Sequence, residues 1–164
     1  MTAVSDKNEY KWHIPDCSRE NPRQFWDPGR KLLKTIRDYK KIGETNNTLK
    51  LLKKKWYVLE HRFWSVATGA DIPLNSNIAG GLLIPHPNGI VIYPGAIIGP
   101  NCLIFQQVTL AAGVRLGYHV DIGAGAKILG PLVIGNNVRI GANSVVTKNV
   151  SSGLTVAGAP AIPI

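Results

Sequence analysis

The chain changes its hydrophobic pattern once, near residue 70. Before that point, residues 29–42 (GRKLLKTIRDYKKI) set Leu32, Leu33, Ile36, Tyr39 and Ile42 at the spacing of one helix face, with lysines and arginines between them. The turn-like GETNN follows. The run TLKLLKKKWYVLEHRFWSVATG then places Leu49, Leu52, Trp56, Leu59 and Phe63 on a second stripe, with Gly69 as the stop. Two amphipathic helices are predicted, and Lys53, Lys54 and Lys55 read as a solvated helix face. Beyond Gly69 a period of six takes over: Ile92, Ile98, Ile104, Leu110, Leu116, Ile122, Ile128, Ile134, Ile140 and Val146 follow without a polar interruption. Glycine often comes next (Gly99, Gly117, Gly123, Gly135, Gly141), and the residue two before is mostly small or apolar. Short strands joined by tight turns fit this pattern.

An earlier register through Ile72, Ile78, Ile84 and Ile90 is out of phase with the later one by two residues, and the slip falls at HPNG. A break in a stacked repeat is a bulge, and bulges re-aim side chains. Pro85, His86 and Pro87 therefore stand where a coil leaves regular geometry.

Length and composition, 164 residues with 45% hydrophobic and 18% charged, fit a globular chain with a core of its own. The net charge of +9 is uneven: residues 1–70 hold 15 Lys and Arg against 8 Asp and Glu, residues 71–164 only 4 against 2. This divides the chain into a basic helical region, 1–70, and a repeat domain, 71–164. The late carboxylates are Asp71 and Asp121. A basic face suits an anionic cofactor, polysaccharide or membrane surface as a minor alternative to plain solvation, and no nucleic-acid partner is expected. Cys17 and Cys102 lack metal-ligand spacing and read as reduced thiols, Cys102 buried. The polar opening MTAVSDKNEYKWH does not resemble a signal peptide and no apolar run reaches membrane-spanning length, so the expected location is cytoplasmic.

The repeat resembles the hexapeptide-repeat acyltransferases over roughly residues 71–161. That family implies a mainly β fold, a left-handed parallel β-helix of triangular section with about eighteen residues per coil, preceded here by a small α-helical region. Residues eighteen apart should then stack: Ile104, Ile122 and Ile140 inside, and Asn101, His119 and Asn137 at one corner. Within the group the chain is most similar to serine acetyltransferases and their short sugar O-acetyltransferase relatives. The resemblance is carried by DIP at Asp71–Pro73, His86 fifteen residues on, GIVI after it, QQVTLAAG at Gln106–Gly113, IGAGAKILG at Ile122–Gly130 and AGAPA at Ala157–Ala161.

The resemblance implies acetyl transfer from acetyl-CoA, as co-substrate, to a hydroxyl, with no metal. Imidazole is matched to taking a hydroxyl proton near neutral pH, which makes His86 the base. A carboxylate on the other ring nitrogen holds the tautomer and stabilises the imidazolium, the part that fits Asp71. A backbone N–H of the Leu110–Gly113 turn is a candidate oxyanion donor. For coenzyme A the family uses backbone at small residues along a groove between subunits, matching Ala112, Gly113, Ala124 and Ala142 here, with Lys148, and less directly Lys127, toward the phosphates. The arginine usual after PA is replaced by Ile162. His119 reads as a corner residue, and Asp121 and Arg139, eighteen apart, predict a cross-strand ion pair.

Serine acetyltransferases interrupt the repeat after VTL with a glycine-rich excursion that engages serine; here Leu110 leads directly to Leu116 and Ile122. Pro85 also replaces the acidic residue before their histidine. The expectation is therefore an O-acetyltransferase acting on a sugar or polysaccharide precursor. Serine O-acetylation for cysteine biosynthesis is the alternative, and a non-catalytic trimeric scaffold comes third. The family implies a homotrimer, with a dimer of trimers through the N-terminal helices as a further option.

Overall fold

The computed structural model describes residues 12–164; of the opening stretch only Trp12 and His13 lie within the described residues. A 3-10 turn, Cys17–Glu20, precedes helix α1, Pro28–Ile42, and helix α2, Thr48–Thr68. Pro28 starts α1 with its φ pre-set for a helix. Asn47 caps α2 by accepting from the N–H groups of Leu49 and Lys50, and Gly69 closes it in the left-handed region at φ 64. Both predicted helices are present. α1 buries Leu32, Leu33 and Ile36 as its stripe requires.

α2 departs from expectation. Its apolar stripe faces away from the body of the protein, with Leu49, Trp56 and Phe63 exposed to 72%, 65% and 55%. The inward face is instead Tyr57, His61, Trp64 and Thr68, which are half-buried or buried. His61 Nε2, 2.8 Å from the Ile72 carbonyl, ties the helix to the first coil, while the buried Thr68 hydroxyl is satisfied within the helix by donating to the Trp64 carbonyl.

The strands in chain order are β1 (Asn77–Ile78), β2 (Val91–Ile92), β3 (Ile97–Ile98), β4 (Leu103–Ile104), β5 (Thr109–Leu110), β6 (Arg115–Leu116), β7 (Asp121–Ile122), β8 (Lys127–Ile128), β9 (Val133–Ile134), β10 (Arg139–Ile140), β11 (Val145–Val146), β12 (Thr155–Gly158) and β13 (Ala161–Pro163). They stack into three parallel sheets that form the faces of a left-handed β-helix. Face A is β2, β5, β8 and β11; face B is β1, β3, β6 and β9; face C is β4, β7, β10 and β12, with β13 added antiparallel. All ten aliphatics of the six-residue register point inward, none more than 4% exposed. Ile104, Ile122 and Ile140 stack as the eighteen-residue rule requires. At the corner between faces B and C, Asn101, His119 and Asn137 take positive φ of 60°, 52° and 55°, a conformation these side chains tolerate better than most. Gly123 has another reason to lack a side chain: a Cβ there would lie 2.6 Å from the Ala142 nitrogen of the next coil.

The phase slip appears as a coil of different length. Asp71, Asn77 and Leu83 pair with Val91, Ile97 and Leu103, twenty residues on, whereas Val91 pairs with Thr109, eighteen on. At the C/A corner the Gln107 N–H donates to Asn88 in the same way that the Gly125 N–H donates to Gln106, so Asn88 and Gln106 are equivalent. Between Ile84 and Asn88 there are three residues, Pro85, His86 and Pro87, where the next coil has Phe105 alone. The two additional residues are thus accommodated at the histidine.

α1 crosses the open end of the helix and seals it. Gly29 approaches the bulge so closely that a Cβ would lie 2.8 Å from the Ile84 carbonyl oxygen, while Arg37 Nη2 donates to the Ala79 carbonyl at 2.6 Å. Glu20, 6% exposed, accepts from Arg37 Nε and Nη2 at 2.9 and 2.8 Å and from the Leu82 N–H at 2.9 Å. Asn101 holds the segment before the 3-10 turn, donating to the Trp12 and Ile14 carbonyls and accepting from the Asp16 N–H. Helices and solenoid share one core.

Candidate active site

The C/A corner assembles the first group of candidate residues. His86 is exposed at the bulge, between two prolines that remove two backbone donors and restrict the chain around it. Asp71 is also exposed, fixed one coil earlier where its N–H donates to the Ile90 carbonyl and its carbonyl accepts from Ile92. Its bridge to Val91 places it at the start of face A, next to the corner that carries His86. Among the described residues neither the His86 imidazole nor the Asp71 carboxylate makes a hydrogen bond or ion pair, so both are available to a ligand or to each other.

The small residues named for coenzyme A separate into two sets. Ala124 and Ala142 lie on the C/A corner with His86, between β7 and β8 and between β10 and β11. Ala112 and Gly113 lie on the next corner, between faces A and B, with Lys148 two coils above Ala112. The Leu110–Gly113 turn therefore does not face His86 within one chain, which removes it as an oxyanion donor in cis. The arithmetic is visible in the sequence: Ala112 and Lys148 are thirty-six apart, two full coils, whereas Ala112 and Ala124 are twelve apart. Lys148 lines a cavity of about 360 Å³ with Pro160, Ala161 and Ile162 of the C-terminal hairpin, the hairpin that contains AGAPA. Lys127 is engaged otherwise, its ammonium donating to the Gln107 carbonyl.

Gln106 carries a signal that the motif alone did not assign. It stands at the C/A corner directly above Asn88, and its Oε1 is buried without a partner. An open buried acceptor of this kind is uncommon in a folded interior.

Other expectations resolve away from this corner. Asp121 and Arg139 are register partners, but no ion pair forms between them; both line a cavity of about 410 Å³ with Trp12, His119 and Asn137. His119 stacks on Trp12 at 3.7 Å, and its Nδ1 lies 2.9 Å from Asn137 Oδ1, a corner residue as expected. Cys102 is buried, which pushes its thiol up to about 11; Cys17 is exposed. Among the described residues no group of three or more His, Cys, Asp or Glu is placed to hold a metal, and no helix is long and apolar enough to cross a membrane.

Residues 119–148 match the model of the bacterial transferase hexapeptide (six repeats) family. A serine acetyltransferase of Synechococcus elongatus is 46% identical over 101 residues, covering 57% of this chain and 41% of that protein. One of Helicobacter pylori is 38% identical over 122 residues, covering 68% of this chain and 71% of that protein. Among solved structures, a serine acetyltransferase in complex with CoA superposes with a TM-score of 0.71 at 31% identity, over 85% of this chain and 57% of the other. The chain thus spans less than half the length of the Synechococcus relative and about seven tenths of the Helicobacter one.

Proposed function

We propose that this chain, which belongs to the serine acetyltransferase family, transfers the acetyl group of acetyl-CoA to the hydroxyl of serine at the C/A corner. The observation that carries the reading is the two-residue expansion of one coil, which sets His86 out of the regular stack beside the column of Ala124 and Ala142. His86 takes the hydroxyl proton as the oxygen attacks the thioester carbonyl carbon. Asp71 orients the imidazole and stabilises its protonated form. The tetrahedral intermediate collapses with cleavage of the carbon–sulfur bond, and the imidazolium returns the proton to the coenzyme A thiolate.

The cofactor set needs a second copy. Ala112, Gly113 and Lys148 sit on the A/B corner, away from His86, and a groove between the C/A corner of one subunit and the A/B corner of its neighbour would join the two sets. This supports the homotrimer that the resemblance implied. The likeness to serine acetyltransferases favours serine over the sugar acceptor expected from the sequence. One observation keeps the sugar reading as the second: β5 leads into β6 through Ala111–Val114 alone, so a groove completed by the A/B corner of a neighbouring copy would carry no excursion there and would stay open to a larger acceptor. Purified protein with acetyl-CoA, a thiol-detecting reagent and parallel panels of serine and sugar acceptors decides between them. Turnover with serine alone supports the first reading, and turnover confined to sugars overturns it. No release of thiol with any acceptor, in protein that still binds acetyl-CoA by calorimetry, would return the chain to the scaffold reading.

A further inference from the structure

A cavity of about 210 Å³ opens beside the bulge. Leu83, Ile84 and Pro85 of the expanded coil form one wall, and Arg23, Asp27 and Arg30, on the segment that enters α1, form the other. Pro85 directly precedes His86, so the cavity wall and the root of the imidazole side chain are one Cα step, about 3.8 Å, apart. The two walls are packed together: a Cβ on Gly29 would lie 3.6 Å from Pro87 Cγ as well as 2.8 Å from the Ile84 carbonyl oxygen. The three charged groups are not equivalent. Asp27 accepts from Arg30 Nη1 at 3.2 Å and from the Arg23 N–H at 3.1 Å, and Arg30 Nε donates to the Arg19 carbonyl at 2.9 Å. Asp27 and Arg30 therefore neutralise and hold each other. Arg23 is anchored through its backbone, but among the described residues its exposed guanidinium makes no hydrogen bond or ion pair. One tethered positive charge is left over, a residue away from the candidate base.

We propose that this cavity is an anion subsite in which Arg23 receives a carboxylate carried by the acceptor. A guanidinium is a planar fork of donors that takes both oxygens of a carboxylate at once. The apolar wall of Leu83, Ile84 and Pro85 keeps water from one side of such a pair, which strengthens it. The cavity is small, suited to the charged end of an acceptor and not to a whole glycan, so the rest of the molecule extends toward the corner where His86 stands. This assignment rests on the reading of His86 as the base, and it narrows the acceptor to hydroxyl compounds that carry a carboxylate. Serine meets the requirement, and so does a uronic acid; a neutral sugar does not. Arg23 is then a specificity residue that binds the acceptor and takes no part in the proton transfer.

The test is calorimetric titration of the full chain, saturated with coenzyme A, with two pairs of probes: L-serine against L-serinamide, and D-glucuronate against D-glucose. At least one carboxylate should bind about tenfold or more tighter than its neutral counterpart, the worth of a hydrogen bond between charged groups. Which pair shows the preference tells an amino acid from an acidic sugar. Arg23→Gln should abolish the preference and leave the neutral probe unchanged, Arg23→Lys should restore part of it, and Lys53→Gln, at an exposed cation of α2, should leave it intact. In thiol-release assays Arg23→Gln should raise the KM for the carboxylate acceptor by the same factor with kcat little altered. Far-UV circular dichroism verifies the fold of each variant. The subsite is overturned if neither carboxylate is preferred, or if the preference survives in Arg23→Gln, whatever the turnover. An Arg23-dependent preference without thiol release supports the subsite and fails the transfer reading alone.

Discussion

Replacing Glu20 with alanine removes the buried junction that ties the helical region to the first coil. The carboxylate is 6% exposed and accepts three hydrogen bonds, two from Arg37 and one from the Leu82 N–H. Leu82 is fully buried, so its stranded N–H costs about 1–3 kcal/mol. Breaking a fully buried ion pair from one side costs about 3–5 kcal/mol. The Arg37 side chain is 21% exposed and keeps the Ile78 and Ala79 carbonyls, so its share falls well below that range. The total expected for Glu20→Ala is about 3 kcal/mol, or a fall in Tm of about 6–12 °C for a chain of this size. Glu20→Gln should cost roughly half as much, because one oxygen can still accept from Leu82. Urea unfolding followed by circular dichroism and by tryptophan fluorescence measures both, and a cycle with Arg37→Ala isolates the pair. A loss below about 1 kcal/mol for Glu20→Ala, or a coupling near zero in the cycle, would refute the assignment of this junction as the main tie.

His86→Ala should lower kcat by about 10²–10⁴ while acetyl-CoA still binds, and Asp71→Asn should lower it by at least about tenfold; steady-state assays with calorimetry check both. Native protein should release one thiol equivalent to an aromatic disulfide reagent at pH 8, from exposed Cys17, and two in urea, since Cys102 is buried. Burial raises the folded Cys102 thiol to about 11, above its ordinary value of 9.0, so its stabilising contribution is complete below pH 9 and is lost as pH rises toward 11. Cys102→Val should flatten the stability profile in that window. Gly123→Ala should destabilise by about 1–3 kcal/mol through the contact its Cβ would make with Ala142, measured by thermal melting.

How far the fold is legible follows from which interactions repeat. A residue in the six-residue register meets its equivalents one coil above and below, so a single rule fixes the interior positions from Ile92 to Val146, and the structure places every one of them inside. The same rule locates the bulge, because a two-residue excess has to be absorbed at a corner, and the prolines and histidine mark which one. Contacts made once leave no such trace. Glu20 finds Leu82 sixty-two residues away and Asn101 meets Trp12 at a separation of eighty-nine, with no period to announce either. α2 shows a different limit: a stripe in a sequence specifies which residues lie together, not whether the protein or its surroundings cover them. Here Trp64 and Thr68 turn inward and the more apolar side turns out. Asp121 and Arg139 separate register from pairing, since adjacent strands bring their Cα atoms together but both side chains open on the cavity beside Trp12. Ala112 and Ala124 show the same limit: both are small residues in turn motifs, yet counted by coils they stand on different corners, A/B and C/A, two thirds of a coil apart.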